Sequence, residues 1–124
     1  MTPIRHTFPF LIAAVLMCGP EIHAQTTARL RVTDVKPLLK LAIEQGSAHG
    51  ILVGEAANFI RQRFDATAPI EIDVRSIQAL RDPGCSRLEI TTRQAGILEK
   101  GKREDKALTY QLNYCRDGRI PDRS

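Results

Sequence analysis

The chain has 124 residues, with 18 Lys and Arg against 14 Asp and Glu for a net charge of +4, no Trp and 3 Cys. A length of this order has room for one small domain and excludes a second core. The basic residues are interleaved with acids along the chain rather than gathered into a stripe, and aromatics are only 5% of residues, which argues against a nucleic-acid binder and leaves the core to Leu, Ile, Val and Ala.

Residues 1–24 read as a secretory signal peptide. Arg5 and His6 supply a basic start, Phe8 to Cys18 is an apolar run, and Gly19, Pro20 and Glu21 end it short of the roughly 18–20 apolar residues that span a bilayer. Cleavage after Ile22-His23-Ala24 starts the mature chain at Gln25 and leaves 100 residues with the same net charge, because Arg5 and Glu21 leave together. The weaker alternative is a lipoprotein with Cys18 as its first residue, disfavoured because Met17 stands where a small residue is needed. The mature chain is expected in the periplasm, without an integral membrane segment, as a single domain over 25–116 and a polar tail over 117–124. Export also leaves Cys85 and Cys115 as the mature cysteine pair, and a lone pair in an exported chain is most simply a disulfide. By loop entropy such a bridge contributes on the order of 3–4 kcal/mol.

Arg29 to Val32 alternates polar and apolar, as in a short strand or an extended lead-in. Val35, Leu38, Leu39, Ala42 and Ile43 then fall on one face of a helix, with Thr33 or Asp34 as cap, Pro37 in the first turn and Gly46 as stop. Ser47 to Gly50 reads as a turn, and the state of Ile51 to Val53 is left open. Ala56, Phe59, Ile60 and Phe64 predict the buried face of a second helix. Ile70, Ile72 and Val74 alternate with Glu71, Asp73 and Arg75 in a half-exposed strand. Asp82-Pro83-Gly84 has the chemistry of a type II turn. Two further strands follow, with Leu88 and Ile90 in one and Leu108, Tyr110, Leu112 and Tyr114 in the other. Centring their hairpin on Lys100 pairs Ile90 with Tyr110, Leu88 with Leu112 and Cys85 with Cys115. The expected architecture is α+β: two amphipathic helices packed on a small antiparallel sheet of about three strands, stapled by one disulfide, with Arg116 to Ser124 trailing from the last strand.

Chemistry is sparse. His49 is the only histidine of the mature chain, and in a Gly-flanked turn it reads as a solvated loop residue that does not pair productively with Ser47. One histidine and two distant cysteines supply no zinc-type cluster, and Cys85 and Cys115 lack the CxxC spacing of a redox pair. Glu71 and Asp73 share a strand face, where alternation makes them the solvated side. The run Glu99 to Lys106 holds four bases and three acids and reads as a solvated hairpin tip. No catalytic, cofactor or metal residue is assigned; Cys85 and Cys115 are assigned as the disulfide.

The stretches Pro69-Ile70-Glu71-Ile72-Asp73-Val74, Asp82-Pro83-Gly84-Cys85-Ser86-Arg87-Leu88 and Asn113-Tyr114-Cys115-Arg116-Asp117-Gly118, behind an export signal and two short helices, form a pattern that resembles small exported proteins encoded among bacterial conjugative-transfer genes. The resemblance implies a compartment and a process, type IV secretion, with no catalytic residue to carry over. The expected function is a non-enzymatic periplasmic accessory or assembly protein that binds a protein partner through a sheet edge or its polar face. The alternative is an independent periplasmic binding module or inhibitor, for example of a cell-wall hydrolase, whose disulfide-closed loop plugs a cleft. Neither a cofactor nor a nucleic-acid partner is expected, and the sequence leaves the oligomeric state open.

Overall fold

A computed structural model describes residues 28–121; the expected signal peptide, its cleavage site and the Cys18 alternative lie outside the described residues. The elements run β1 (Leu30–Val32), α1 (Lys36–Gln45), β2 (Ser47–Leu52), α2 (Glu55–Arg63), β3 (Ile70–Ala79), β4 (Cys85–Glu99) and β5 (Lys102–Cys115). The strands form one sheet in the order β1-β2-β3-β4-β5. β1 lies parallel to β2 with α1 as the crossover between them, and the other three pairings are antiparallel. No helix among the described residues is long and apolar enough to cross a membrane.

The sheet therefore corrects the expected small antiparallel sheet of about three strands: it has five, and it is mixed. The element that sequence reading passed over is β2. Ser47 to Gly50 looks like a turn because it holds Ser, Ala and Gly, yet the two residues that face the helices, Ala48 and Gly50, are small for packing. Ala48 and Gly50 are buried, and a Cβ on Gly50 would stand 2.7 Å from Leu38 Cδ1 and 3.1 Å from the Leu30 carbonyl oxygen. Glycine here lets α1 and β1 close onto β2.

α1 forms as its periodicity predicts. Leu38, Leu39 and Ala42 are buried, and Gly46 ends the helix in the left-handed region with its N–H donating to the Ala42 carbonyl. The N-cap is Val35, without a side-chain cap bond, rather than Thr33 or Asp34, although Asp34 Oδ1 accepts from the Lys36 N–H at 2.7 Å. α2 forms where expected but is rotated. Ala57 alone of this helix is buried in the core, with Ile60 partly buried against it, whereas Ala56 is exposed and Phe59, 69% exposed, stays largely in water. Both helices pack on the same side, over a core that includes Ile70, Ile72, Val74, Leu88 and Ile90. At about 25 cal/mol per Å² of apolar surface, this one-sided burial is the main stabilising term.

The β4–β5 hairpin carries the expected pairs: Ile90 opposite Tyr110, Leu88 opposite Leu112, and Cys85 opposite Cys115. Its tip is the two-residue turn Lys100-Gly101, both residues at positive φ, as a type I′ turn requires. Between Gln94 and Ile97 the register shifts, with Ala95 and Gly96 opposite Asp105, whose side chain accepts from the Gly96 N–H at 3.0 Å. This bulge absorbs one residue and restores the pairing that the cysteines need. At the other end the turn behaves as its sequence predicts: Cys85 N–H donates to the Asp82 carbonyl and Gly84 has φ 75°. Cys85 and Cys115 are joined by a disulfide, their Cα atoms 3.9 Å apart. The first residues past β5 do not trail away. Cys115 N–H donates to the Arg119 carbonyl at 2.9 Å, and Pro121 is buried.

Candidate functional site on the open face of the sheet

With both helices on one side, the opposite face of the sheet is left to the alternate residues of each strand. The registers arrange them in rows. His49, Asp73, Thr91 and Thr109 form one, Ile51, Glu71, Arg93 and Ala107 the next, and Ser47, Arg75, Glu89 and Gln111 the third.

Asp73 is the hub. His49 Nδ1 lies 2.6 Å from Asp73 Oδ1, and because a carboxylate only accepts, the ring nitrogen carries the proton and donates. Arg29, just ahead of β1, donates from Nη1 to the same oxygen at 2.9 Å and from Nη2 to Oδ2 at 3.5 Å. Its Nη2 also lies 3.6 Å from Glu71 Oε2, and Arg93 Nη1 approaches Asp73 Oδ2 at 3.6 Å. Burial pushes the Asp73 carboxyl upward, but the hydrogen bonds from His49 and Arg29 and the positive charge beside it outweigh that and hold it below its ordinary value. One row away Arg75 Nε donates to Glu89 Oε1 at 2.8 Å, which raises the Arg75 pKa and lowers that of Glu89. Thr91 and Thr109 hydroxyls meet at 3.1 Å.

His49 thus stands on a strand and not in a solvated turn. The missed signal was β2 itself: once Ser47–Leu52 is a strand antiparallel to β3, His49 must face Asp73. The expected solvated side of β3 is present, but its carboxylates are held in a lattice of opposite charges rather than left free in water. Arg29 and Arg93, which sequence reading did not single out, complete that lattice.

The lattice limits what the face can do chemically. A His–Asp pair orients an imidazole, and catalysis of the serine-triad type further needs a hydroxyl at its far nitrogen. Ser47 lies on the same face two residues along, yet no hydroxyl is hydrogen-bonded to His49 among the described residues. Two guanidinium groups against the carboxylate also repel a cation, and no cluster of three potential metal ligands occurs among the described residues. A shallow cavity of about 320 Å³ opens beside the bulge, bordered by Pro69, Glu71, Arg93, Asp105 and Ala107, and it does not include His49. The arrangement suits recognition by a matching charged surface.

No family model, curated protein or solved structure matches this chain.

Proposed function

We propose that the protein is a non-enzymatic accessory protein of the bacterial cell envelope, exported to the periplasm, that binds another protein across the open face of its sheet. The supporting observation is the hub at Asp73, where Arg29, His49 and Arg93 converge on one carboxylate and fix charged groups on an uncovered face. Groups held by one another lose little conformational freedom on docking, which favours a face as a recognition surface. The disulfide adds to this reading, since it suits an oxidising compartment. The process is type IV secretion, on the resemblance of the turn and cysteine motifs to exported proteins of conjugative-transfer gene sets.

Deleting the gene from a donor strain should lower mating frequency, and tagged protein should recover a transfer component from the donor envelope. Arg75→Glu and Arg93→Glu together should abolish that recovery while circular dichroism still shows a folded chain, with some stability lost because each reversal faces a carboxylate, Glu89 or Glu71, across the sheet. Unchanged mating with no transfer component recovered would refute the process, and recovery insensitive to both charge reversals would refute the face.

A further inference from the structure

A different surface points to a second copy of this chain. β5 is an edge strand, and the helices cover only the end of it nearest the disulfide. The rows of the helix-side face run Ile72, Thr92, Leu108 and Val74, Ile90, Tyr110. They end on side chains that stay in water: Leu108 is 64% and Tyr110 41% exposed. An apolar groove of about 160 Å³ continues from Leu108 to Ile97 and to Ile60 of α2. From Ala107 to Tyr114 the strand is uncharged and has neither Pro nor Gly, so it lacks the devices that normally blunt an edge.

The direction of its backbone groups follows from one bond. Arg116 N–H donates to the Gly84 carbonyl at 2.8 Å, so residues at even positions of this stretch of β5 spend their N–H and C=O on β4, and the odd positions turn theirs outward. Cys115, an odd position, obeys this, donating outward to the Arg119 carbonyl. That bond caps the edge at one end, and the charged run ending at Lys106 bounds it at the other. The outward groups left between these limits belong to Ala107, Thr109, Gln111 and Asn113, and their midpoint is Tyr110.

We propose that two copies pair antiparallel along β5 about a two-fold axis at Tyr110, joining their sheets into one. Charge selects the same register. Centred on Tyr110, Glu104 of each copy comes opposite Arg116 of the other, at both ends of the contact. Centred one residue earlier, Lys102 meets Arg116; one residue later, Lys106 meets Arg116 and Asp105 meets Asp117. Only the Tyr110 register of these three avoids like charges, which are costly when brought face to face across an interface. It also sets Leu108 against Leu112 of the other copy on the helix-side face and Tyr110 against Tyr110, and it closes as an isologous dimer in which each copy offers the same patch. The open charged face of the sheet takes no part in it.

The test uses the mature, disulfide-bonded chain in sedimentation velocity over a range of concentrations. Wild type should dimerise. Gln111→Pro removes an outward N–H without touching the β4 pairing and should leave a folded monomer, judged by circular dichroism. Glu104→Arg and Arg116→Glu should each weaken the dimer by about tenfold or more, and the double swap should restore it to within about threefold. Tyr110→Cys should give a covalent dimer on mild oxidation, because the two copies of residue 110 form a non-hydrogen-bonded pair like Cys85 and Cys115, whereas Thr109→Cys should not. A wild-type chain that stays monomeric at all concentrations, or binds only a strand of another protein, overturns the proposal. So does a dimer indifferent to Gln111→Pro, and swaps that fail to rescue each other overturn the register.

Discussion

The two ends of the β4–β5 hairpin are built from one continuous ladder and live in different surroundings. At the cysteine end Leu88, Tyr114 and Cys115 are buried and the chain beyond folds back onto the edge. At the turn end every residue of β5 from Lys102 to Gln111 is exposed, and the ladder carries a bulge. Strand pairing is thus decided locally, by turn residues and alternation, while coverage is decided by where the helices reach. A strand can be fully paired on one side and still have no core above it.

The sharpest way to break that comparison is to truncate equivalent apolar residues on either side of it. Leu38→Ala, at the covered end, should cost about 2–5 kcal/mol in chemical denaturation, because Leu38 has no exposure at all. Leu108→Ala should stay within about 0.5 kcal/mol when measured on the monomer. Removing the bridge with Cys85→Ala and Cys115→Ala together should cost roughly 2–4 kcal/mol, read as a fall in denaturation midpoint that reducing agent reproduces in wild type. Gly50→Ala should destabilise by about 1–3 kcal/mol, since its methyl would press on Leu38 and the Leu30 carbonyl with no space to move into.

The smallest effect concerns the open face. The Asp73 carboxyl is held below its ordinary value in the folded state, so its contribution to stability is complete above the unfolded carboxylate pKa of about 3.9 and is lost as pH falls through the folded value. Between those limits wild type should lose stability on acidification while Asp73→Asn shows a flatter slope. Parallel slopes for the two proteins would mean that the His49–Asp73–Arg29 cluster adds nothing to folding.

How much of this was legible in the sequence depended on whether a signal was local. The turn at Lys100-Gly101 pairs its neighbours one residue off the register of the cysteine end, and the bulge that reconciles the two had no sequence signal, whereas the alternation and the facing cysteines do contain the cysteine-end register. α1 is equally readable, because its apolar stripe, Pro37 and Gly46 agree. α2 was readable as a helix but not in rotation: 56-59-60-64 and 57-60-61-64 are both plausible stripes, and only the packing of the whole fold selects Ala57 over Phe59 for the core. β2 was illegible for the same reason, its Gly50 answering to Leu38 in another element. Because His49 sits on β2, the charged hub could not be assembled until that strand was in place, although Asp73 and Arg93 already lay on the outward side of their own strands.

The position of the disulfide has a consequence for how the chain matures. The sulfurs sit at the open mouth of the hairpin, as far as the ladder allows from Lys100-Gly101, so closure that starts at the turn brings them within reach last. Oxidation then works as a latch dropped on a finished zipper. Because hairpin closure takes on the order of microseconds and disulfide formation seconds to hours, the thiols sample a ladder already at equilibrium. How readily they oxidise at a fixed redox poise therefore reads out, by alkylation, how much of the chain has its far end closed.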